Sequence, residues 1–181
     1  TTFKHWRIEQ DSDDIMWAYI DRAGSKVNTF NEALLNELTV IVESLEQDKK
    51  TKGLVILSAK PTGFVLGADI ERFTKVKTLE QAQEFILRAH HLFDKIEKLK
   101  MPVVALLNGT ALGGGMELAL ACHYRVALDS PKAKFGLPEV KLGIFPGWGG
   151  SVRLPRLIGA IQAMGLMLTG RLISGRAAMK M

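Results

Sequence analysis

The sequence predicts an α/β fold in which helices alternate with strands of a parallel sheet. Two short apolar runs without polar alternation, 54–59 and 103–107, are typical of strands that are buried on both faces. Two longer segments, 31–46 and 78–99, carry apolar residues at helical spacing. Strands that alternate with helices favour parallel pairing, because the helix returns the chain to the same end of the sheet. The 181 residues suffice for one domain with a sizeable core, or for part of a larger one.

The first half of the chain carries start and stop signals for its elements. Residues 3–9 and 15–20 have the composition of strands, and the polar turn between them predicts a hairpin. Asn31 is a suitable N-cap for the helix over 31–46, since its side chain can accept a hydrogen bond from a free N–H group. The helix over 78–99 must end before Pro102, because proline disfavours the helical conformation in the residue before it.

The second half is predicted to contain a glycine-rich turn into a helix, followed by short strands and further helices. Asn108 and Gly109 form a turn after the strand at 103–107, and three glycines directly precede a helix at 116–122. Because the last helical segment shows no C-terminal signal, we expect the chain to stop within a domain. The remaining predicted elements are strands at 125–128 and 134–135, a loop at 146–150, and helices at 151–158, 161–168 and 174–181.

Composition excludes several classes of protein. Hydrophobic residues at 47% and charged residues at 24% are typical of a folded globular protein. The net charge of +5 is dispersed, and no basic block is interleaved with aromatic residues, so we expect no nucleic-acid platform. No apolar run approaches the roughly 18 residues of a membrane span. The N-terminal residues lack the apolar core of a signal peptide, and Cys122 is the single cysteine, so we expect a reducing, cytoplasmic location.

Gly113, Gly114 and Gly115 place bare backbone N–H groups at the start of the helix over 116–122. Such donors, at the positive end of the helix dipole, can hold a phosphate, a carboxylate or a developing oxyanion. The spacing matches neither the dinucleotide-binding nor the nucleoside-triphosphate fingerprint. Taken alone, the glycines are equally consistent with close packing of a helix on a strand.

Two glutamates are candidates for acid and base chemistry. Glu117 lies in the first turns of the glycine-led helix among apolar residues. That position suits either a carboxylate that stabilises the helix dipole or a partly buried general acid and base. Glu139 follows a Gly-Leu-Pro turn, and its local pattern alone favours an ordinary surface residue.

Four segments, taken together, carry a family resemblance. They are GADI at 67–70, NGTALGGGMELALAC at 108–122, FGLPEVKLGIFPGWGG at 135–150, and RLPRLIG followed by LTGRLIS at 153–174. In this order they resemble the enoyl-CoA hydratase/isomerase (crotonase) superfamily, and most of all the hydratase part at the N-terminus of multifunctional fatty-acid β-oxidation α-subunits. The resemblance implies a crotonase-like (ββα)n superhelical spiral. Residues 1–181 would be a single domain that stops before the C-terminal helices.

The resemblance also implies an acyl-CoA site. The backbone N–H groups of Ala68 and Gly114 would form an oxyanion hole for the thioester oxygen. Glu117 and Glu139 would be the catalytic pair that holds the water added across a trans-2-enoyl thioester. Because both acidic positions are glutamate, we expect hydration to 3-hydroxyacyl-CoA in fatty-acid β-oxidation. The alternatives are an enoyl-CoA isomerase, another crotonase-family enzyme, or a non-catalytic binding module.

The same resemblance implies a set of substrate-binding candidates, each with an ordinary structural alternative. The lysines would approach the adenine and phosphates of coenzyme A, or else lie on the solvated surface. The apolar residues would line the acyl or pantetheine path, or else belong to the core. Asp69 is expected to cap a short helix rather than to act in catalysis. The candidates are Lys26, Lys60, Phe64, Leu66, Asp69, Ile70, Pro146 and Trp148.

No cofactor is expected, because acyl-CoA would be the substrate and NAD would bind only to a further dehydrogenase domain. The four histidines, His5, His90, His91 and His123, lack metal-ligand spacing, so no metal site is expected. The expected partners are an acyl-CoA thioester and either copies of the chain in a trimer-type oligomer or, in a longer multifunctional subunit, a thiolase. Neither nucleic acid nor a membrane span is expected.

Overall fold

A five-stranded sheet with helices packed against it forms the centre of the protein. The structure is a computed structural model, and it describes residues 2–61, 63–69 and 76–181. The strands are β1 (Trp6–Gln10), β2 (Ile15–Ile20), β3 (Gly53–Ser58), β4 (Val103–Leu107), β5 (Ala111–Leu112), β6 (Tyr124–Ala127) and β7 (Phe135–Gly136). The helices are α1 (Glu32–Gln47), α2 (Leu79–Glu97), α3 (Gly114–Ala121), a 3-10 helix (Glu139–Leu142), α4 (Gly150–Ile158), α5 (Ala160–Met167) and α6 (Gly175–Met179).

The main sheet has the strand order β1-β2-β3-β4-β6. Strands β1 and β2 form the predicted antiparallel hairpin, and the other neighbouring pairs are parallel. Strands β5 and β7 pair in parallel as a separate two-stranded sheet. The predicted α/β class with parallel pairing is therefore confirmed.

Capping side chains mark the start of both long helices, and the sequence predicted the first of them, Asn31. The Asn31 side chain accepts a hydrogen bond from the Leu34 N–H at 2.8 Å, so α1 starts at the next residue, Glu32. Thr78 accepts from the Gln81 N–H in the same way and opens α2. Each bond satisfies one of the free N–H groups that a helix start leaves unpaired.

The central strands are fully buried on one face only, so the prediction of two buried faces is wrong. Leu54 and Ile56 in β3 and Val103 and Ala105 in β4 are at most 1% exposed and belong to the main core. The residues that alternate with them are half-buried. Successive side chains of a strand point to opposite faces of the sheet. Residues of helices α1 and α2 belong to the core that covers one face, and the opposite face is less completely covered.

The chain reaches the glycine-led helix α3 through a short turn and strand β5. The Asn108 side chain fixes this turn: its amide donates to the Ser58 carbonyl at 3.0 Å, and its oxygen accepts from the Ser58 N–H at 3.3 Å. The start of α3 then lies against residues 63–68, because a Cβ on Gly115 would overlap the Val65 carbonyl. No helix in the described part of the chain has the length and apolar character that a membrane span needs.

Candidate active site

Ala68 is held against the first residue of α3. Phe30 forms an isolated parallel bridge with this segment: its N–H donates to the Gly67 carbonyl at 2.8 Å, and its carbonyl accepts from the Asp69 N–H at 2.9 Å. The bridge turns the Ala68 N–H away from Phe30, because a parallel bridge uses the groups on either side of the paired residue. A Cβ on Gly67 would lie 3.8 Å from the Gly114 nitrogen. The segment therefore lies close to the start of α3.

The backbone N–H groups of Ala68 and Gly114 are both available to an acceptor. Gly114 is the first residue of α3, so its N–H has no partner within the helix. Within the segments that the structure describes, the Ala68 N–H donates no backbone hydrogen bond either. Both residues line one cavity of about 340 Å³. The two residues that were expected to form an oxyanion hole thus line the same cavity.

Glu117 extends from α3 into this cavity and is held by two amides from a distant loop. Its Oε1 accepts from the Trp148 N–H at 2.8 Å and from the Gly150 N–H at 2.9 Å. The residue is only 2% exposed. Burial raises the pKa of Glu117 to about 7, the charge of Glu139 adds to this, and the two amides and the Arg153 charge oppose it. Near neutral pH the carboxyl can therefore both give and take a proton.

Glu139 is the first residue of the 3-10 helix and is 8% exposed, so the surface position that its local sequence favours is wrong. A Cβ on Gly113 would lie 3.1 Å from Glu139 Oε1, so the glycine leaves room for the carboxylate. Burial raises the pKa of Glu139, although a hydrogen bond from its own backbone N–H opposes the shift. Among the described residues its Oε2 has no hydrogen-bond partner. A buried carboxylate oxygen without a hydrogen-bond partner is suited to bind a ligand or a water molecule.

The two acids and the two amides share a cavity whose other walls are mainly apolar. Polar groups in such surroundings interact more strongly than in water, because the local dielectric constant is low. The cavity can therefore stabilise charge that develops on a bound oxygen while an acid and a base act beside it. Among the apolar lining residues are Leu66, Phe85, Ile86, Leu112, Pro138 and Phe145.

Trp148 forms the wall of the cavity behind Gly114. Its ring packs edge-on against Phe85 and Phe93, with ring centroids 5.6 and 5.8 Å away. A Cβ on Gly114 would overlap this ring, so only glycine lets the helix start approach it. Trp148 thus places a rigid aromatic cluster behind Gly114 and supplies its own N–H to Glu117.

The structure separates the apolar substrate-binding candidates into two groups. Leu66 and Trp148 line the cavity. Phe64 is fully buried in the main core, and Pro146 is buried too; neither is among the described lining residues, so the structure gives both a packing position instead. Ile70 lies outside the described residues.

The charged candidates lie away from the described lining of the cavity. Lys60 pairs with Asp21, with Nζ and Oδ1 2.6 Å apart. Asp69 pairs with Arg22 at 2.6 Å, and this ion pair anchors the segment that carries Ala68. Asp69 was expected to cap a short helix, but the residues that follow it, 70–75, lie outside the described residues. Lys26 is exposed to solvent.

Sequence reasoning missed three groups that act on Glu117. They are the amides of Trp148 and Gly150 and the charge of Arg153. The available signal was the concentration of glycine in the loop over 146–150, since glycine-rich loops can bring several N–H groups together. No sequence pattern indicates that these groups point at a side chain on α3.

Comparison with known proteins gives a consistent set of relatives. A family model described as enoyl-CoA hydratase/isomerase matches residues 17–181. The fatty acid oxidation complex subunit alpha of Shewanella amazonensis is 44% identical over 178 residues, which is 98% of this chain and 25% of that protein. The same subunit of Aliivibrio fischeri is 43% identical over 173 residues, 95% of this chain and 25% of the relative. The chain thus spans about a quarter of the length of these relatives.

Solved structures agree with these matches. The enoyl-CoA hydratase of Bacillus anthracis superimposes with a TM-score of 0.90 at 34% identity, covering 98% of this chain and 67% of that one. An enoyl-CoA hydratase of Geobacillus kaustophilus superimposes with a TM-score of 0.92 at 31% identity, covering 99% of this chain and 66% of that one. The crotonase-like fold that the sequence motifs implied is therefore confirmed.

Proposed function

Because the chain belongs to the enoyl-CoA hydratase/isomerase family, we propose that it hydrates trans-2-enoyl-CoA thioesters to 3-hydroxyacyl-CoA in fatty-acid β-oxidation. One observation carries the proposal: Glu117 and Glu139 line the same cavity as the amides of Ala68 and Gly114. An acid and a base beside two convergent N–H groups are the groups that addition of water to a conjugated thioester requires.

The two amides bind the thioester oxygen. When water attacks C3 of the enoyl group, the electrons of the double bond move toward the thioester and negative charge develops on that oxygen. The N–H groups of Ala68 and Gly114 stabilise this charge, and each such donor is worth about 3 kcal/mol of transition-state stabilisation. The Phe30–Ala68 bridge and the position of Gly114 at the start of α3 support this role, because both constrain the backbone without a substrate.

The two glutamates move the protons. An ionised carboxylate takes a proton from water while the water oxygen bonds to C3, and a protonated carboxyl gives a proton to C2 of the enolate. The sum is one water added across the double bond, and a proton passed between the two acids restores the starting state. Glu117, with a pKa of about 7, can exist in either form near neutral pH, and the pKa of Glu139 is raised as well.

The test replaces each acid by its neutral amide. Glu117→Gln and Glu139→Gln should each lower the rate of crotonyl-CoA hydration by about 10²- to 10⁴-fold, the usual contribution of a general acid or base. Loss of the conjugated thioester absorbance measures the rate. Glu46→Gln, on the exposed side of α1, is the matched control and should keep the wild-type rate.

Two results would contradict the proposal. One is a near-wild-type hydration rate in either glutamine variant. The other is a wild-type protein that leaves 2-enoyl-CoA unchanged but converts 3-enoyl-CoA to 2-enoyl-CoA, which would make it an isomerase. RNA binding in a filter assay at physiological salt, without turnover of either thioester, would favour a binding module.

The surroundings of the reaction are also proposals. We expect no cofactor or metal, a cytoplasmic location, and residues 1–181 as one crotonase-like unit. The curated relatives named above are subunits of a fatty acid oxidation complex. That supports assembly with further chains, either as a trimer or, in a longer multifunctional subunit with an NAD-dependent dehydrogenase, with a thiolase. Size-exclusion chromatography with light scattering tests the first alternative.

A further inference from the structure

Arg153 on α4 is a buried arginine with partners on another helix. The residue is 7% exposed. Its Nε donates to Glu97 Oε2 at 2.9 Å, and its Nη2 donates to Asp94 Oδ1 at 2.5 Å. Both carboxylates belong to α2. Two charge-assisted bonds from one helix fix the plane of the guanidinium, because its donors point in fixed directions.

The remaining arm of the guanidinium reaches the loop that holds Glu117. Arg153 Nη1 donates to the Trp148 carbonyl at 3.2 Å. Gly149 has a φ of +104°, and a Cβ there would overlap Nη1, so glycine is needed for the guanidinium to reach the loop. The N–H groups of Trp148 and Gly150 donate to Glu117 Oε1. The loop is thus bound to Arg153 through a carbonyl and to Glu117 through two amides.

We propose that Arg153 is a positioning residue for Glu117: the guanidinium, fixed by Asp94 and Glu97, holds the loop over 148–150 so that its two amides point at the Glu117 carboxylate. The inference rests on the proposed function, because Glu117, the residue that Arg153 would position, is one of the two acids that the proposed hydration uses. Arg153 is not among the described residues that line the cavity, so it acts through the loop and not on the substrate.

The charge of Arg153 acts on Glu117 in addition to the hydrogen bonds. It lowers the pKa of Glu117, against the effects of burial and of Glu139. Removal of this charge would leave the nearby carboxylates in place, and the pKa of Glu117 would rise further. The titratable and charged groups around Arg153 and Glu117 are Asp94, Glu97, His90, Glu139, Cys122, His123, Arg125 and Arg156.

The experiment compares three variants by two measurements. Arg153→Met removes the charge and the hydrogen bonds, and Arg153→Lys keeps the charge but loses the planar set of donors. Arg156→Met, on the exposed side of the same helix, makes the same change in net charge and is the matched control. The first measurement is the pH dependence of kcat and KM for crotonyl-CoA. The second is a carbon-13 NMR titration of the Glu117 carboxyl, assigned with Glu117→Gln.

We expect Arg153→Met to lower kcat by up to about 100-fold, as misplacement of a catalytic group by about 1 Å does. Its KM should change little, and its Glu117 titration should move to higher pH. Arg153→Lys should also lower kcat, and its Glu117 titration should move to higher pH by less than in Arg153→Met, because the displaced amides no longer lower the pKa of Glu117 while the positive charge still does. Arg156→Met should match the wild type in both measurements.

Other results would overturn the inference. A wild-type kcat in Arg153→Lys would show that the planar hydrogen bonds are not needed, and this holds even if Arg153→Met fails to fold. If Arg156→Met loses as much kcat as Arg153→Met, the loss comes from the change in net charge and not from a displaced loop. If the wild-type protein hydrates no enoyl thioester, the proposed function fails, but the NMR titration still decides the inference: an unchanged Glu117 titration in folded Arg153→Met contradicts it.

Discussion

The Glu117 carboxylate accepts the Trp148 N–H at 2.8 Å across 31 residues of sequence. This bond joins helix α3, which carries the glutamate, to the loop that precedes α4. The Trp148 ring packs at the same time behind Gly114 and against the aromatic residues of the core. Trp148 therefore holds the carboxylate of one candidate catalytic residue, Glu117, and restricts position 114, the candidate for an oxyanion-hole amide, to glycine.

Gly114→Ala should damage both stability and activity. The new methyl group would overlap the Trp148 ring, and the ring cannot move freely because it packs among Phe85 and Phe93. Overpacking of this kind costs about 1–3 kcal/mol of unfolding free energy, and displacement of the Gly114 N–H should lower the hydration rate as well. Urea unfolding and the crotonyl-CoA assay measure the two effects.

Gly165→Ala is the matched control for this substitution. Gly165 lies in α5, and a Cβ there meets no atom within 4 Å. Alanine should therefore leave activity unchanged and raise the unfolding free energy by about 0.5–1 kcal/mol, since glycine is a poor residue inside a helix. Equal stability changes in the two variants would contradict the close contact between Gly114 and Trp148.

The stability of the protein should fall as the pH rises from about 4.5 to 7 and above. The pKa of Glu117 is 4.5 for the free group and about 7 in the fold, so the folded state favours the protonated carboxyl. Its stabilising effect is complete below pH 4.5 and is lost as the pH passes through 7. The loss amounts to at most about 3.5 kcal/mol, at roughly 1.4 kcal/mol for each pKa unit.

Urea unfolding at pH 5 and pH 8 tests this dependence. Glu117→Gln stays neutral at every pH, so its unfolding free energy should change less between the two values than that of the wild type. Glu46→Gln should keep the full wild-type change. A pH dependence that is the same in wild type and Glu117→Gln would mean that Glu117 is already ionised at low pH in the folded protein.

Glu139→Gln should lower the pKa of Glu117. The charge of Glu139 is one of the causes that raise the pKa of Glu117, and the amide removes that charge while it keeps the shape of the side chain. Carbon-13 titration of the Glu117 carboxyl should then give a midpoint below about 7. If the midpoint stays where it is in the wild type, the two carboxyls do not interact, which contradicts the proton transfer between them in the proposed reaction.

The sequence alone determined the elements whose signals are local. Asn31 caps the first long helix, Pro102 limits the second, and the three glycines at 113–115 mark the start of α3, because capping, proline sterics and helical periodicity act within a few residues. The sequence motifs also led to the family and to Ala68, Gly114, Glu117 and Glu139 as one set.

Only the tertiary structure decided how the groups of the site meet. Glu139 has the local pattern of a surface residue, and it is buried because the 3-10 helix returns it to the start of α3 beside Gly113. Phe64 is apolar like Leu66, yet one lies in the core and the other lines the cavity. The two amides on Glu117 come from residues more than 30 positions away. Burial and the pKa of a carboxyl depend on all the atoms around it, and chain segments distant in sequence supply most of those atoms.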